Sequence, residues 1–225
     1  MPEMKKTRET HTLLSFIEKP LIKKLVSILP ARTTPDTLTL IGLFGSIVTG
    51  LGYFLSNYSN CFLWLSSFGL LINWFGDSLD GSLARYRNIE RPHYGFFIDH
   101  TIDSVSMVLI AVGAGLSPYA RFDLVLLALT AYLLMSTLVY INTAASGVFR
   151  IAFYGFGPTE IRIFIIIVNT VIFFLGAGQF HFKDFAFTTL DVAAIFLSLI
   201  LFIFYIVSAV IDGKKLKRKE DNIND

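Results

Sequence analysis

The chain has 225 residues, of which 54% are hydrophobic and 16% are charged, and its formal net charge is +2. Because a soluble domain carries about 25% charged residues, this composition excludes an ordinary soluble protein and indicates an integral membrane protein. The small net charge gives no reason to expect a nucleic-acid partner, and the single cysteine, Cys61, excludes an intrachain disulfide.

The N-terminal segment, residues 1–36, begins with polar residues and then carries a predicted amphipathic helix. Apolar residues recur there at helical spacing, and lysines occupy the other side. We expect this helix to lie in the headgroup layer on the cytoplasmic side; the alternative is a helix that faces water beside the membrane. The apolar residues are Leu14, Ile17, Leu21, Leu25 and Ile28, and the lysines are Lys19, Lys23 and Lys24.

Six stretches are long and apolar enough to cross a bilayer, which takes roughly 20 residues. Each is predicted to be an α-helix, because lipid offers no partner for an open backbone group. The predicted fold is therefore an all-α integral membrane protein with six transmembrane helices in one domain, residues 37–211, followed by a basic cytoplasmic tail, residues 212–225. The spans are 37–56, 61–84, 95–116, 122–146, 159–178 and 189–211.

The positive charges fall on one side of such a six-span protein. Lysine and arginine cluster in the N-terminal segment, in the loop at residues 85–91 and in the tail, whereas the opposite side carries only Arg121 and Lys183. Cytoplasmic loops carry an excess of these residues. We therefore expect a multi-pass protein with both termini, and the 85–91 loop, in the cytoplasm.

Four aspartates lie at helical spacing inside the second and third predicted spans, near their cytoplasmic ends: Asp77, Asp80, Asp99 and Asp103. A carboxylate in a membrane costs a few kcal/mol, and like charges repel one another. Divalent metal resolves both problems, and hard oxygen ligands select Mg²⁺, Mn²⁺ or Ca²⁺, of which we expect Mg²⁺ or Mn²⁺. Four negative charges match two such ions, which in two-metal sites clamp the attacking and leaving oxygens of a phosphoryl displacement.

Small residues and one arginine accompany these carboxylates. Gly81, Ala84 and Gly95 let a ligand approach the helix backbones, and Arg85 is a bidentate phosphate donor. The pattern predicts a slot for a nucleotide diphosphate. The alternative is a set of polar contacts between helices or a proton relay, as in a non-enzymatic transporter of cations or solutes.

The same residues carry a resemblance to a known family. The signature D-x-x-D-G-x-x-A-R, then eight or nine residues, then G-x-x-x-D-x-x-x-D belongs to the CDP-alcohol phosphotransferases, also called CDP-alcohol phosphatidyltransferases. The chain resembles this family at every fixed position of the signature. These positions are Asp77, Asp80, Gly81, Ala84, Arg85, Gly95, Asp99 and Asp103.

The resemblance implies a six-helix homodimeric enzyme of phospholipid synthesis that releases CMP from a CDP-linked alcohol. It implies that Asp77, Asp80 and Asp99 ligate two metal ions, with Asp103 sharing in coordination and acting as the general base. It also implies that small residues make room for the cytidine nucleotide, with Arg85 holding its diphosphate. The small residues are Gly81, Ala84 and Gly95.

The resemblance does not decide which donor and which acceptor the chain uses, because the family has two branches. One branch transfers a phosphatidyl group from CDP-diacylglycerol to a polar alcohol, and the other transfers phosphocholine or phosphoethanolamine from a CDP-headgroup to a lipid alcohol. Two segments, 95–106 and 157–167, are similar to choline/ethanolaminephosphotransferases. A non-enzymatic transporter and an inactive structural homologue are the rival interpretations.

Four further polar residues are candidates for contacts with the acceptor or the headgroup. Glu160 suits a cationic headgroup, Arg162 and Arg150 suit a phosphate, and His100 could orient a carboxylate. The alternatives are a Glu160–Arg162 pair that caps a helix at the membrane surface, an anchoring role for Arg150, and a hydrogen bond from His100 to a neighbouring helix.

A second segment, Pro35 to Leu43, is similar to the P-N-x-L-T-x-x-G-L that opens the first span in many members of the family. Here Asp36 stands where asparagine is usual. Since aspartate is a good helix cap, we expect Asp36 to help begin the helix.

Overall fold

The computed structural model describes residues 14–146, 157–182 and 185–224. Within these ranges it contains seven helices and one two-stranded antiparallel hairpin. The prediction of a helical membrane protein is confirmed. The elements are α1 (Ser15–Ile28), α2 (Pro35–Leu55), α3 (Phe62–Tyr86), α4 (Pro92–Gly115), α5 (Phe122–Ser146), α6 (Pro158–Leu175), β1 (Gln179–Phe182), β2 (Phe185–Thr188) and α7 (Thr189–Asn224).

Five of the described helices, α2, α4, α5, α6 and α7, are long and apolar enough to cross a membrane. The remaining predicted span, 61–84, corresponds to α3, which has 25 residues and therefore ample length. Its mean hydropathy is reduced because its last three turns carry Asp77, Asp80 and Arg85. The same residues that carry the chemistry thus weaken the membrane signal of their own helix.

Helices α2 and α3 pack with their backbones in close contact. A Cβ added at Gly76 would collide with the backbone of Leu38 and Gly42, and a Cβ added at Gly45 would lie 2.9 Å from Cα of Asn73. Small residues at such crossings let helices approach each other inside a membrane. The crossing fixes the face of α3 that carries Asn73 and Asp80 against α2.

Helix α1 lies against α3 and α6. Its Val26 is buried with Leu38, Leu79 and Leu83. The Glu18 carboxylate accepts hydrogen bonds from Trp74 Nε1 at 2.9 Å and Thr159 Oγ1 at 2.7 Å. The predicted apolar stripe does not all face the protein. Ile17, Leu21 and Ile28 remain exposed on the outer surface of α1.

The chain between α6 and α7 differs from the predicted boundaries. The fifth span was expected to reach residue 178, but α6 ends at Leu175, and Gly176 follows with a positive φ of 77°. The chain then forms the hairpin β1–β2, in which Phe180 is paired with Phe187. The buried carboxylate of Asp191 accepts from the backbone N–H groups of Thr188 and Arg121, and so fixes the start of α7.

Candidate active site

The central feature of the site is a group of three carboxylates from α3 and α4. Asp77, Asp99 and Asp103 each place one carboxylate oxygen so that all three oxygens lie within 4.8 Å of one another. Divalent cations take oxygen ligands at about 2.0–2.6 Å, so a single ion fits between these three atoms. The donor set is hard, anionic and partly buried, which suits a divalent metal.

The fourth predicted ligand, Asp80, has different surroundings. Its carboxylate is 6% exposed and turns toward α2, where Oδ2 accepts a hydrogen bond from Thr39 Oγ1 at 2.7 Å. Its Oδ1 accepts from the Gly81 backbone N–H at 2.5 Å. Asp80 therefore lies beside the three-oxygen group and not within it.

A cavity of about 350 Å³ adjoins the carboxylates and opens between the ends of α2, α3 and α4. Among the described residues, and apart from the local backbone of α4 itself, no heavy atom lies within 4 Å of a Cβ added at Gly95, so the cavity extends up to α4. All four residues predicted for nucleotide binding line this cavity, together with two of the aspartates. These six residues are Asp80, Gly81, Ala84, Arg85, Gly95 and Asp99.

Arg162 of α6 contacts the carboxylate group at Asp77. Its Nη2 donates to Asp77 Oδ2 at 2.7 Å and its Nε donates to Asn73 Oδ1 at 2.7 Å. Asn73 Nδ2 in turn donates to Gly42 O and Ser46 Oγ of α2. A single polar network therefore joins three helices directly behind Asp77.

Glu160 and Arg162 do not pair with each other, contrary to the alternative considered for them. Glu160 is buried and caps α6, since its Oε2 accepts from the Gly157 N–H at 2.9 Å. Its Oε1 accepts from the Leu14 N–H at 3.0 Å, which ties α6 to the start of α1. Both carboxylate oxygens of Glu160 are thus occupied by backbone donors.

His100 lies on α4 at the edge of the carboxylates. Its Nδ1 is 3.9 Å from an oxygen of Asp99 and 3.9 Å from an oxygen of Asp103, which is longer than a hydrogen bond. The ring stacks on Tyr140 with a centroid distance of 5.0 Å and meets Phe96 edge-on at 4.3 Å. Arg150, the remaining candidate for acceptor binding, lies outside the described residues.

Asp36 lies in the first turn of α2, where an acidic residue favours the start of a helix as expected, but it is not the N-cap. Thr34 is the N-cap, and its Oγ1 accepts from the Thr37 N–H at 3.2 Å. Asp36 also forms an ion pair with Arg91, and both residues line the 350 Å³ cavity. The asparagine-to-aspartate difference thus places a negative charge in the lining of the cavity.

A second, smaller cavity of about 120 Å³ lies between α4, α5, α6 and α7 and has an almost entirely apolar lining. Met107, one turn beyond Asp103 on α4, and Ile161, adjacent to Arg162 on α6, both line it. Tyr132 of α5 lines it as well. The carboxylates therefore adjoin the 350 Å³ cavity, whose lining includes charged side chains, and neighbours of Asp103 and Arg162 line the apolar one.

Sequence reasoning missed Asn73, Thr39 and Glu18, which all contact the site or hold its helices. Asn73 precedes Asp77 by four residues, so the two side chains share one face of α3, and a polar residue in an apolar helix is a usable signal. Thr39 follows Asp36 by three residues, so these two side chains likewise share one face of α2. The sequence holds no comparable signal for Glu18, whose partners are at least 56 residues away along the chain.

Comparison with known proteins decides the family. Residues 32–204 match the model of the CDP-alcohol phosphatidyltransferase family. The chain belongs to this family. The resemblance predicted from the signature is thereby confirmed, and the protein is a transferase of phospholipid synthesis. The comparisons give no support to the transporter alternative.

Relatives of the chain include an archaetidylinositol phosphate synthase and a cholinephosphotransferase. An archaetidylinositol phosphate synthase of Pyrococcus horikoshii is 29% identical over 150 residues, or 66% of this chain and 77% of that enzyme. Cholinephosphotransferase 1 of Mus musculus is 31% identical over 166 residues, or 70% of this chain. The latter match spans only 41% of the mouse enzyme.

Solved structures of one enzyme share the fold. The phosphatidylinositol phosphate synthase of Mycobacterium tuberculosis with CDP-DAG bound superposes with a TM-score of 0.58 at 20% identity. The superposition covers 85% of this chain and 90% of that one. The same enzyme in complex with manganese and citrate gives a TM-score of 0.57.

Proposed function

We propose that the protein transfers a substituted phosphate group from a CDP-linked alcohol to the hydroxyl of an acceptor alcohol, with release of CMP. One observation carries this proposal: three clustered carboxylates, Asp77, Asp99 and Asp103, adjoin a cavity of about 350 Å³ that small residues leave open. The family match supplies the cytidine nucleotide.

The carboxylates are proposed to hold two divalent ions, Mg²⁺ or Mn²⁺. Asp77, Asp99 and Asp103 would bind one ion, and Asp80, whose carboxylate lines the cavity, would complete the second site. Bound ions supply charge neutralisation of the diphosphate and polarisation of the phosphorus. The manganese complex of the mycobacterial enzyme supports a divalent metal in this fold.

The cavity is proposed to bind the nucleotide through α3 and α4. Gly81, Ala84 and Gly95 present no bulk, so a ribose or base can approach the helix backbones. The Arg85 guanidinium, held by a 3.0 Å hydrogen bond from its Nη2 to Ser82 Oγ, lines the same cavity and can donate to a diphosphate oxygen.

Asp103 is proposed to act as the general base. An oxygen of the acceptor hydroxyl forms a bond to the phosphorus, the bond from that phosphorus to the CMP oxygen breaks, and the hydroxyl proton passes to Asp103. Proton transfer of this kind contributes about 10²–10⁴-fold to the rate. Asp103 is suited to it because the apolar cavity begins one helical turn away, at Met107.

The proposal includes both reactions of the family, phosphatidyl transfer and headgroup transfer. In both branches one substrate carries acyl chains, and the apolar cavity beside Asp103 and Arg162 suits a chain segment in either. Glu160 accepts one backbone N–H group at each carboxylate oxygen, and a carboxylate can accept further hydrogen bonds. Glu160 therefore stays a candidate for a cationic headgroup, and Arg162 and His100 stay candidates for acceptor contacts, with Arg150 outside the described residues.

We further propose that the protein crosses the membrane six times as a homodimer, with both termini and the active site in the cytoplasm. The arginines near the ends of α3 and α4 support this orientation. On α1, the exposed Ile17, Leu21 and Ile28 accompany the exposed lysines Lys23 and Lys24, which suits contact with the headgroup layer.

Release of CMP by the purified protein tests the proposed reaction. The protein with Mg²⁺ receives CDP-diacylglycerol plus inositol phosphate or glycerol phosphate in one set of reactions, and CDP-choline or CDP-ethanolamine plus diacylglycerol in another. CMP that forms only with one donor–acceptor pair, and not in the presence of EDTA, supports the proposal and identifies the branch. Absence of CMP with every pair would contradict it.

A further inference from the structure

The hairpin β1–β2 lies at the end of the helix bundle opposite to the clustered carboxylates. Arg162, near the start of α6, contacts Asp77, whereas α6 ends at Leu175, about 20 Å farther along the helix axis. Strand β1 begins at Gln179, shortly after this end of α6. The hairpin is therefore distant from the proposed reaction, which does not use it.

The two faces of the hairpin have different neighbours. Side chains alternate between the faces of a strand, and the register pairs Phe180 with Phe187 and His181 with Ala186. Phe180 and Phe187 therefore share one face, and His181 and Ala186 share the other. The Phe187 face points toward the helices, because the guanidinium carbon of Arg121, just before α5, lies 5.7 Å from the Phe187 ring centroid. His181 and Ala186 are exposed on the outward face.

The Phe180 ring belongs to an exposed apolar rim that continues from α6. Phe180 is 54% exposed, and its ring folds back over Gly178, where an added Cβ would lie 3.5 Å from a ring carbon. At the end of α6, Phe174 and Leu175 are 69% and 81% exposed, and Trp64 of α3 meets Phe174 edge-on at a centroid distance of 6.3 Å. The apolar rim, formed by Trp64, Phe174, Leu175 and Phe180, thus extends the exposed surface of a membrane-spanning helix onto the hairpin.

Helix length fixes the depth of the hairpin in the bilayer. Helix α6 has 18 residues and is about 27 Å long, whereas the hydrocarbon core is about 30 Å thick. The end of α6 therefore lies at the boundary of the hydrocarbon and not in bulk water. The hairpin cannot enter the hydrocarbon, because each of its two strands has an outer edge without a strand partner among the described residues, and open backbone groups cost several kcal/mol there. Both limits place the hairpin in the headgroup layer.

We propose that the hairpin is a membrane anchor, whose Phe180 face enters the boundary between headgroups and acyl chains in the leaflet opposite to the active site. The His181 face stays in water. Phenylalanine, tryptophan and leucine side chains of interfacial elements enter this boundary by about 5–10 Å. The partner is the phospholipid surface, and the anchor holds the end of the short helix α6 at that surface.

Spin-label accessibility in the full chain, reconstituted in phosphatidylcholine nanodiscs, tests this placement. The single, exposed cysteine, Cys61, is replaced by serine. One nitroxide is then attached in Phe180→Cys, His181→Cys or Leu175→Cys. Oxygen concentrates in the bilayer, whereas a nickel chelate stays in water. We expect the ratio of oxygen accessibility to nickel-chelate accessibility at position 180 to be close to that at 175, and several-fold lower at 181.

A second measurement keeps the label away from Phe180. The nitroxide is attached in Ala186→Cys, on the outward face, with Phe180 present or replaced. Phe180→Ser should release the hairpin from the lipid and raise the nickel-chelate accessibility of this label. The matched control is Phe44→Ser on α2, which removes an equally exposed phenylalanine (58%) and should leave the accessibility at position 186 unchanged.

Two results at position 180 would overturn the anchor. A nitroxide as accessible to the nickel chelate as the one at 181 would place Phe180 in water. Low accessibility to both reagents would show that a protein surface, such as a second copy of the chain, covers the apolar rim. An unchanged label at position 186 in Phe180→Ser would likewise contradict the anchor. None of these measurements involves release of CMP, so the proposed reaction is tested separately.

Discussion

Arg162 on α6 donates from Nη2 to Oδ2 of Asp77 on α3 at 2.7 Å, and the arginine side chain is only 4% exposed. The same guanidinium donates to Asn73, which contacts α2. A fixed positive charge therefore lies against one of the three clustered carboxylates. This arrangement offsets part of the repulsion among the aspartates before any cation binds, and it sets the orientation of Asp77.

Replacement of Arg162 by methionine should destabilise the protein strongly in the absence of metal. Loss of one partner from a buried ion pair costs about 3–5 kcal/mol, because the other charge stays buried without compensation. The apparent unfolding temperature in detergent with EDTA should fall well below that of the wild type. Added Mn²⁺ should raise it more in Arg162→Met than in the wild type, since the cation supplies the missing charge.

The matched control is Arg121→Met, which removes the basic partner of an exposed pair. It should change the unfolding temperature little, since exposed pairs contribute at most about 1 kcal/mol. Equal metal-dependent shifts in Arg162→Met and wild type would show that Arg162 and the cation do not share the charge of Asp77.

Two glycines on adjacent helices should respond in opposite ways to alanine. Gly76→Ala places a methyl group against the backbone of α2, so α2 and α3 must separate and unfolding should occur at lower temperature. In Gly95→Ala the new methyl group meets no atom of another described element within 4 Å, and the change replaces a helical glycine, which stabilises a helix by about 0.5–1 kcal/mol. It should fold as well as the wild type.

The informative readout for Gly95→Ala is nucleotide affinity. If CMP occupies the space beside Gly95, the added methyl group should weaken CMP binding while the unfolding temperature stays the same or rises. Titration of CMP into both proteins with Mg²⁺ measures this. Unaltered CMP affinity in Gly95→Ala would place the nucleotide elsewhere.

Asp103→Asn and Asp77→Asn should separate catalysis from metal binding. Asparagine at position 103 keeps an oxygen ligand but cannot take up a proton at neutral pH, so turnover should fall about 10²–10⁴-fold with CMP affinity nearly retained. Asparagine at position 77 removes a charged ligand and the partner of Arg162, so Mn²⁺ affinity and turnover should both decline. Loss of CMP binding in Asp103→Asn would argue for pure coordination.

Glu18→Ala should release α1 from the rest of the protein. Its carboxylate accepts from Trp74 Nε1 and Thr159 Oγ1, and hydrogen bonds to charged groups contribute about 1.5–3 kcal/mol each. Hydrogen–deuterium exchange over residues 15–28 should accelerate about tenfold or more. Lys23→Ala, an exposed substitution on the same helix, should leave the exchange rates unchanged.

The chemistry of the site could be predicted largely from local sequence. Asp77, Asp80, Asp99 and Asp103 lie on two consecutive helices joined by a short loop, so helical spacing alone brings their faces together. The same helical periodicity predicts that Gly81 and Gly95 lie beside these carboxylates. The prediction of a helical membrane protein succeeded for a similar reason, because hydropathy is summed over about 20 residues.

Contacts between distant helices could not be predicted in this way. The partner of Arg162 depends on how α6 is rotated against α3, and spacing along either helix contains no such information. Spacing suggested a pair with Glu160, whereas both side chains point to other elements. Asp36 was assigned to the helix start because aspartate is a good cap. Its ion pair with Arg91, 55 residues away in the sequence, could not be predicted from local spacing.

The connection between α6 and α7 shows a further limit. The apolar run extends past Leu175, so hydropathy continued the span to residue 178. Gly176 with its positive φ ends the helix, and Asp191 then orders the following hairpin through the Thr188 N–H. A glycine in an apolar stretch is compatible with a membrane helix, and only its backbone angle distinguishes the two cases.

The most direct test is anomalous diffraction from crystals of the protein grown with Mn²⁺ and a CDP-alcohol. The account predicts two manganese peaks between α3 and α4, one within bonding distance of Asp77, Asp99 and Asp103, with the diphosphate bound to both. Strong nucleotide density without manganese between these aspartates would contradict it.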